Sequence, residues 1–473
     1  MNQVSATEVV GMLGRWSGPQ GPLHGLLAAR LGRLIDEGRL GAGARLPTDR
    51  ALAMALSVSR GTVVTAYETL RGTGRITRVQ GSGTVVTGPG QATAAGGETA
   101  NPMFLHLIDD ADDVVSMTSA GPDHVSGEIT DILHRVVDSL PRRSEGGDLG
   151  YHPAGHPSLR AALARWYRER GVPTDDDQIL VTTGGQQALS LITHLFVRSG
   201  DGVVVEAPTY PGALTLFQNA GARLSLLPVG GGEWDANRFA ELVAERRSAL
   251  AYLVPTNHNP TGGVIPSLVR RRVVEATAEA GVPVVEDDVL AGLGFAGEPP
   301  PPLAAAAHNG HVITVGSLSK IVWGGLRVGW LRASAATVGK LARLKAMHDL
   351  GSDVVSQLVA VELVPEIDRL SRERADVLRQ RHDSLCAFLA ERLPDWRFQR
   401  AQGGQTLWVE LPGVDSGCFV QHALRFGVGL LPGTVFDSRD AGRAHLRVPF
   451  LAPHDRMDLA TARLVEAWRS FAR

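Results

Sequence analysis

Short runs rich in β-branched residues alternate with longer segments of helical periodicity between residues 179 and 320 of this 473-residue chain. The runs are "ILVTT" (179–183), "GVVVEAP" (202–208), "LAYLVP" (250–255), "VPVVEDD" (282–288) and "HVITVGSLSK" (311–320). Helical segments such as "GQQALSLITHLF" and "SLVRRRVVEATAEA" lie between them. Strands separated by helices predict a mostly parallel, doubly wound α/β sheet. In such sheets ligands bind beyond the carboxyl ends of the strands, so a site is expected there.

Lysine is rare in this chain, which narrows the search for a reactive amine. Lys320, Lys340 and Lys345 are the only lysines among 47 basic residues. Lys340 and Lys345 fall in a helical pattern, and we expect both to face solvent. Lys320 instead ends a predicted strand, so it is the candidate for chemistry that needs a primary amine.

The residues around Lys320 suit a cofactor that carries both a carbonyl and a phosphate. Ser317 and Ser319 precede the lysine, and Arg327 follows it. The amine can form an imine with the carbonyl, while the hydroxyls and the guanidinium bind the phosphate. Taken alone, "SLSK" fits a solvated surface lysine better, so this interpretation depends on the other strand ends.

Polar residues at three other predicted strand ends support a ring cofactor with a phosphate. Gly185 and Gln186 open a helix, where backbone N–H groups bind phosphate. Asn259, in "NHNPTGG", either donates to a ring hydroxyl or forms an ordinary Asn-Pro turn. Asp287 ends an apolar strand, where a carboxylate needs a cationic partner such as a protonated pyridine nitrogen.

The order of these motifs within residues 113–473 resembles that of the fold-type I aminotransferases, which bind pyridoxal 5'-phosphate (PLP). The family has a small C-terminal α+β subdomain, which would begin here at about residue 350. The resemblance implies that Lys320 forms the Schiff base with PLP, that Asp287 pairs with the pyridine nitrogen and that Asn259 bonds the phenolic oxygen. It assigns the phosphate to Ser317, Ser319, Arg327, Gly185 and Gln186.

Three further residues match the aminotransferase pattern. Tyr210 corresponds to the aromatic residue that stacks on the cofactor ring, and Tyr151 to the tyrosine that reaches the phosphate of the neighbouring subunit, which implies a homodimer. Arg447 corresponds to the arginine that binds a substrate or effector carboxylate. Val289 and Leu290 stand where many relatives have a tyrosine that donates to the phenolic oxygen, a departure that implies weakened transamination.

The first 87 residues carry a local positive charge and the pattern of a helix-turn-helix. This segment contains ten arginines and five acidic residues, so its net charge is +5, whereas the whole chain has a net charge of -2. "LHGLLAARLGRLIDEG" predicts a first helix, and Thr48 and Ser59 can cap two short helices that "SVS" separates. "RITRVQGSGTVVT" predicts a β-hairpin, or wing. The charge indicates a polyanionic partner.

Residues 20–87 resemble the winged helix-turn-helix domain of the GntR family. The resemblance implies contacts with double-stranded DNA through Arg50, Ser59, Arg60 and Thr62, and close approach of the wing to the minor groove at Gly81. The alternative is that these arginines only solvate a small helical domain. Residues 88–112 are rich in glycine and poor in bulky side chains, so we expect a flexible linker.

A GntR-type winged helix joined to an aminotransferase-like domain is the architecture of the MocR-type transcription regulators. The resemblance implies a PLP-dependent DNA-binding regulator that senses an amino acid, an amine or PLP itself, and the residues do not decide among these effectors. The second hypothesis is a working aminotransferase with an added DNA-binding module. The third is a DNA-binding protein with an empty aminotransferase fold. We expect any transaminase activity to be weak.

Several other classes of protein are disfavoured by the sequence. No apolar run reaches the roughly 20 residues of a membrane span, and the start of the chain lacks a secretory pattern, so a cytoplasmic protein without a membrane partner is expected. Cys386 and Cys418 are far apart and show no metal-ligand spacing. We therefore expect neither a disulfide framework nor a metal site.

Overall fold

The computed structural model describes residues 3–17, 21–79, 83–87, 114–118, 121–122, 127–143, 147–230, 234–245, 248–307, 311–437 and 440–471. Its first compact unit, which we call the terminal unit, comprises Met1–Ser119, Phe388–Phe398 and Trp408–Arg473. The second, which we call the sheet unit, comprises Ala120–Ala387 and Gln399–Leu407. The expected linker, 88–112, and the wing residue Gly81 lie outside the described residues. The domain boundaries read from the sequence, including the one near residue 350, stay predictions.

The described helices and strands follow one another along the chain. The helices are α1 (Ala6–Leu13), α2 (Leu23–Asp36), α3 (Asp49–Ala55), α4 (Arg60–Gly72), α5 (Gly127–Arg143), α6 (Pro157–Glu169), α7 (Gly185–Phe196), α8 (Pro211–Asn219), α9 (Ala236–Ala244), α10 (Ser267–Ala280), α11 (Leu303–Ala306), α12 (Ala335–Asp349), α13 (Val354–Leu363), α14 (Ile367–Arg392), α15 (Ser416–Arg425) and α16 (His454–Phe471). The strands are β1 (Ile76–Val79), β2 (Gly83–Val86), β3 (Val115–Ser116), β4 (Ile179–Thr182), β5 (Gly202–Ala207), β6 (Arg223–Pro228), β7 (Ser248–Leu253), β8 (Val284–Asp287), β9 (Val312–Ser317), β10 (Gly329–Arg332), β11 (Arg397–Phe398), β12 (Thr406–Glu410), β13 (Val428–Gly429), β14 (Leu431–Pro432) and β15 (His445–Pro449).

The sheet unit is built around a seven-stranded sheet in the order β4-β10-β9-β8-β7-β5-β6. Strands β5 to β9 pair in parallel, and β10 runs antiparallel to both of its neighbours, β4 and β9. Helices connect the parallel strands, as parallel pairing requires. The predicted mostly parallel, doubly wound α/β architecture is confirmed.

Both faces of this sheet are covered by apolar side chains. Alternate residues of one strand point to opposite faces, and Val203 and Val205 of β5 accordingly join one hydrophobic cluster while Val204 joins another. The same division separates Val284 from Val285 in β8. This two-sided burial explains why the strands read as nearly continuous apolar runs, and it leaves the strand ends as the place where polar groups gather.

Two expectations about lysine need correction. Strand β9 ends at Ser317, so Lys320 lies on the turn that follows the strand and not at its last position. Lys345 does not face solvent: its side chain is fully buried, and Nζ donates to the two carboxylate oxygens of Asp349 at 2.8 and 2.9 Å. Lys340 is exposed, as expected.

The terminal unit contains the helix-turn-helix and the wing. The predicted caps are confirmed, because Thr48 Oγ1 accepts from Ala51 N at the start of α3 and Ser59 Oγ accepts from Thr62 N at the start of α4. Strands β1 and β2 pair antiparallel, which confirms the hairpin. Helix α1 precedes these elements and was not predicted.

Helices α1 to α4 share one hydrophobic core with the first residue of β1 and the last residue of β2. Their buried side chains include Leu13, Leu27, Leu52, Val63 and Val86. The C-terminal part of the unit contributes β13, which pairs in parallel with β3, and most of a second sheet, ordered β11-β12-β15-β14. Among the helices that the structure describes, none is long and apolar enough to cross a membrane.

Candidate functional site

Lys320 and Asp287 lie at the carboxyl ends of two neighbouring parallel strands, β9 and β8. Lys320 is half-buried, and an ideal Cβ on Gly121 would lie 4.0 Å from its Nζ, so the backbone at Gly121 passes beside the amine. Burial raises the pKa of Asp287 above its ordinary value, and the positive charge of Lys320 opposes that rise. The two charged groups that the sequence singled out for a cofactor therefore occupy one site.

Asp287 is a buried carboxylate with two hydrogen-bond donors from the protein. Tyr252 Oη donates to Oδ2 at 2.7 Å, and Val289 N donates to Oδ1 at 3.2 Å. Burial raises the pKa of Asp287, and these two bonds together with Lys320 oppose that rise. A buried acid held in this way is suited to bind a cationic ring nitrogen.

Tyr252 was not predicted as a site residue. It lies on β7, fully buried, in the run "LAYLVP", where it reads as one more apolar strand residue. The position of Tyr252 on the strand next to the one that ends in Asp287 would have identified it as a site residue, but strand order cannot be read from the sequence alone. A buried tyrosine hydroxyl needs a partner, and here that partner is the aspartate.

The turn before α7 and Arg327 are brought together as predicted. Gly184 has φ of 131°, and an ideal Cβ there would lie 2.9 Å from Nη2 of Arg327. Glycine is therefore required at this position for two reasons: the backbone angle, and the close approach of the guanidinium. Helix α7 begins at Gly185, so its first N–H groups and the arginine lie side by side, a combination that binds anions.

Ser317 and Ser319 form a hydrogen-bonded pair next to the lysine. Their Oγ atoms lie 2.6 Å apart, Ser317 Oγ also donates to Val328 O at 3.1 Å, and Ser319 N donates to Ser317 Oγ at 3.2 Å. Ser317 is buried whereas Ser319 is half-buried. The internal bonds of Ser317 hold the turn that carries Ser319 and Lys320, and the phosphate role of both serines stays a prediction.

Tyr210 and Gln186 are joined by a hydrogen bond. Tyr210 Oη donates to Gln186 Oε1 at 3.0 Å, and Gln186 Nε2 donates to Gly212 O at 3.3 Å. An ideal Cβ on Gly212 would come within 2.6 Å of the Tyr210 ring, so glycine is needed for the ring to take this position. The side chain of Gln186 thus orients Tyr210. The backbone N–H of Gln186 is the group predicted to contact the phosphate.

Two asparagines of "NHNPTGG" have different environments. Asn257 is buried with φ of 53°, and its Nδ2 donates to Leu290 O at 2.8 Å and to Ala291 O at 3.2 Å. Asn259, the predicted cofactor ligand, has a buried Oδ1 that accepts no hydrogen bond from the described residues. Asn257 was missed by sequence reasoning, and its role is to brace the segment where the expected tyrosine is replaced.

Tyr151 lies on an exposed loop that hydrogen bonds to Asp148 organise. Its side chain is 66% exposed. Asp148 accepts from Gly150 N at 2.8 Å and from His152 Nε2 at 3.0 Å, and these bonds lower the pKa of Asp148. Asp148, His152 and His156 each bring one potential ligand atom within 4.8 Å of the others. The expectation of no metal site stays a prediction.

Arg447 lies on β15 in the terminal unit. It is 1% exposed, its Nη2 donates to Thr118 O, and its guanidinium carbon lies 4.9 Å from the centre of the Phe436 ring. A buried guanidinium that already donates to a carbonyl and packs on an aromatic face is a rigid anion-binding group. Its predicted contact with an effector carboxylate stays a prediction.

The predicted DNA-contacting residues cluster at the helix-turn-helix. Arg50, Ser59 and Arg60 are exposed, and Thr62 is half-buried. The Ser59 hydroxyl caps α4 and lies 2.9 Å from Thr62 Oγ1, so both hydroxyls already serve the helix. The two arginines are therefore the stronger candidates for contacts with phosphates and bases.

The chain combines two parts. One is a winged helix with exposed arginines, and the other is an α/β sheet with a lysine and a buried aspartate at its strand ends. Together they define a DNA-binding domain fused to an aminotransferase-like domain, as in a transcription regulator. Residues 25–86 match the family described as bacterial regulatory proteins, gntR family, and residues 112–464 match aminotransferase class I and II. The chain belongs to the aminotransferase class I and II family, and it carries a gntR-family helix-turn-helix domain ahead of that domain.

Proteins similar to this chain include both transcription regulators and aminotransferases. An uncharacterized HTH-type transcriptional regulator of Bacillus subtilis, YisV, is 28% identical over 92% of this chain and 93% of its own length. A probable rhizopine catabolism regulatory protein, MocR, of Rhizobium meliloti is 27% identical over 82% of this chain and 84% of its own. The crystal structure of LysN, an α-aminoadipate aminotransferase of Thermus thermophilus, matches with a TM-score of 0.70 and 29% identity over 78% of this chain and 95% of its own.

Proposed function

We propose that this chain is a PLP-dependent, DNA-binding transcription regulator that senses an amino compound, or PLP itself, through its aminotransferase-like part. The observation that carries the proposal is that Lys320 and the buried Asp287 stand at the carboxyl ends of two neighbouring parallel strands, β9 and β8, in a chain that also has an arginine-bearing winged helix. Of the other two lysines, Lys345 is paired with Asp349 and Lys340 is exposed on α12. Lys320 is therefore the amine placed for a carbonyl cofactor.

The residues present fit PLP, the cofactor that the family implies. When bound, PLP supplies an aldehyde that reacts with primary amines and a ring that withdraws electrons. Lys320 would hold the aldehyde carbon, and Asp287 would keep a proton on the ring nitrogen. Asn259 would donate a side-chain N–H to the phenolic oxygen, and Tyr210 would contact the ring.

The phosphate would be held by a separate group of residues. Arg327 lies against the glycine turn at the start of α7, so its charge and the N–H groups of Gly185 and Gln186 favour the same anion. The Ser319 hydroxyl stands on the turn next to Lys320. This arrangement supports the cofactor assignment independently of the lysine.

A homodimer is supported by exposed apolar side chains around Tyr151. Leu149 is 84% exposed, and Met347 and Leu350 are 85% and 56% exposed. Their segments abut, since an ideal Cβ on Gly351 would lie 2.8 Å from the carbonyl oxygen of His152. A clustered set of large exposed apolar groups is typical of a protein interface, and covering this one would bring Tyr151 to a second subunit.

The effector would be a small molecule with an amino group and, if Arg447 binds it, a carboxylate. PLP alone would serve as the effector if the regulator reports the supply of the cofactor. Replacement of the usual tyrosine by Val289 and Leu290 removes one donor to the phenolic oxygen, which favours binding and sensing over fast turnover. A working aminotransferase remains the second hypothesis, and an assay with amino acid and 2-oxo acid pairs tests it.

DNA binding is tested most directly with the exposed arginines of α4. Arg60→Ala should weaken binding of the purified full chain to the intergenic DNA beside its own gene, because Arg60 stands at the start of the reading helix. Arg71→Ala is the matched control, since Arg71 is an exposed arginine at the other end of the same helix. Equal losses for both variants at one salt concentration would mean nonspecific charge attraction and would reject the proposed reading surface.

A further inference from the structure

The turn of the helix-turn-helix is bound by a helix from the other end of the chain. Ser57 lies between α3 and α4, and α15 comes from the C-terminal part of the same compact unit. Ser57 Oγ donates to Cys418 O at 3.0 Å, and Arg425 Nη2 donates to Ser57 O at 2.7 Å. The hydroxyl and the carbonyl of this one turn residue are thus engaged by α15.

A third contact fixes the end of α3. Cys418 Sγ donates to Met54 O at 3.4 Å, so the last turn of α3 and the first turn of α15 are joined as well. Helix α15 itself begins at a firm cap, because Asp415 Oδ1 accepts from Cys418 N at 3.1 Å. The groups that hold the turn are therefore themselves held in place.

Ser57 has a backbone conformation that benefits from such contacts. Its φ is 51°, in the left-handed region that side chains other than glycine seldom adopt. Such conformations persist where surrounding contacts determine them. The bonds from α15 satisfy the carbonyl and hydroxyl of Ser57, and α4 begins only three residues later, at Arg60.

A second anchor lies away from the turn. Trp16 Nε1 donates to Gln421 Oε1 at 2.8 Å, and both side chains are buried. Trp16 follows α1 and belongs to the core of the winged helix. Helix α15 thus binds the winged helix at two separate points, which resists rotation as well as separation.

The contact does not cover the residues predicted to read DNA. Arg50 and Arg60 are exposed, and Met54 is 71% exposed although its carbonyl is bonded. A contact that blocked DNA would bury these side chains. The geometry therefore favours a contact that orients α4 over one that hides it.

We propose that α15 is a clamp on the helix-turn-helix, in which Arg425 acts as a positioning residue that fixes the orientation of the DNA-reading helix α4. This inference rests on the proposed DNA-binding function. It makes the C-terminal part of the chain a determinant of DNA affinity without contact with DNA. Any movement of α15 would then pass directly to α4.

The guanidinium of Arg425 is the point at which the clamp is most easily opened. It also lies 2.7 Å from His422 Nδ1 on the same helix, and burial lowers the pKa of Arg425. Truncating it to alanine leaves the Ser57 carbonyl without this charged donor, whereas lysine can still reach the carbonyl with one N–H. Arg425→Ala removes both the bond and the charge, whereas Arg425→Lys keeps a cationic donor, so recovery with lysine would show that a cationic donor at this position is what holds the turn.

The experiment compares the wild-type full chain with Arg425→Ala, Arg425→Lys and the control Arg469→Ala, an exposed arginine on α16. Arg425→Ala should weaken binding to the intergenic DNA about tenfold, the value of one charge-assisted hydrogen bond, and Arg425→Lys should recover part of it. The slope of affinity against salt should stay unchanged, because no phosphate contact is lost. Arg469→Ala should match the wild type.

Amide hydrogen exchange without DNA gives an independent readout. Exchange at residues 54–60 should be faster in Arg425→Ala than in the wild type and the control, while α2 and the sheet unit stay unchanged. Unchanged exchange and affinity would overturn the clamp, and so would a salt slope reduced by about one, which would place Arg425 on a phosphate. If the wild type binds no DNA, the proposed function fails, and exchange alone still decides whether the clamp exists.

Discussion

Tyr252 donates a 2.7 Å hydrogen bond to Oδ2 of Asp287, and the two residues stand on neighbouring parallel strands, β7 and β8. The bond opposes the rise in the pKa of Asp287 that burial causes. Burial in turn raises the pKa of Tyr252 far above its ordinary value, so the tyrosine stays a donor. The bond from Tyr252 thus favours the ionised form of Asp287 against the effect of burial.

Tyr252→Phe should therefore weaken PLP binding. Without the donor, Asp287 takes up a proton more readily and is a poorer partner for a protonated ring nitrogen. We expect a loss of about tenfold in affinity, since a hydrogen bond to a charged group contributes roughly 1.5–3 kcal/mol. Titration of the cofactor-free protein with PLP, followed by visible absorbance, measures it.

Tyr167→Phe is the control for that measurement. Tyr167 is also fully buried in the sheet unit, but its hydroxyl accepts from Trp330 Nε1 at 3.0 Å and it does not bond Asp287. Both variants lose a buried hydroxyl, and only one loses the bond to the aspartate. Equal PLP affinities for the two variants would show that Tyr252 serves the fold and not the cofactor.

Lys320→Ala should abolish the visible absorbance of the PLP-loaded protein, because the amine that holds the aldehyde carbon is gone. Lys340→Ala should leave the spectrum unchanged, since Lys340 is exposed on α12. The far-ultraviolet circular dichroism of both variants should match the wild type. If the absorbance band persists in Lys320→Ala, another amine anchors the cofactor and the assignment of Lys320 is wrong.

The stability of the sheet unit should depend on the protonation of Glu206. This side chain is 2% exposed, it accepts from Val254 N at 2.7 Å and from Trp234 Nε1 at 3.1 Å, and burial raises its pKa to about 7. His258 Nε2 lies 3.5 Å away, but burial lowers the pKa of His258 to about 3, so it brings no charge.

Because the pKa of Glu206 is raised on folding, its stabilising contribution is complete below its unfolded value near 4.5 and is lost as the pH rises through about 7. The free energy of unfolding of the wild type should fall by about 3 kcal/mol across that range relative to Glu206→Gln, at about 1.4 kcal/mol for each pH unit. Urea unfolding at pH 4.5 and 8 measures the difference. Glu279→Gln, at an exposed site on α10, should follow the wild type, and a wild type parallel to Glu206→Gln would contradict the assignment.

Local chemistry made much of this architecture predictable. Thr48 and Ser59 cap helices because a short hydroxyl side chain before a helix reaches the free N–H groups, a rule that needs only neighbouring residues. The sheet followed from the alternation of apolar runs with helical segments. The glycine turn and Arg327 were found because the order of motifs along the chain was informative.

Long-range packing set the limit of that reasoning. Lys345 looks like a surface residue of α12, and its partner Asp349 is only four residues away, but that carboxylate also accepts from Gln187, which is 162 positions distant in sequence. Tyr252 contacts Asp287 because their strands are neighbours in the sheet. Asn257 adopts a left-handed backbone conformation. Neither feature can be read from residue type. The contact of Ser57 with Arg425 joins residues 368 positions apart, which no local pattern encodes.

We expect PLP on Lys320 to control DNA binding by the winged helix. Footprinting of the purified, cofactor-free chain on its own intergenic DNA, with and without PLP and a primary amine, measures this control. The wild type should change its affinity at least several-fold when the cofactor or the amine is added, and Lys320→Ala should not respond. The same response in Lys320→Ala, or no response in a PLP-loaded wild type, would contradict the account.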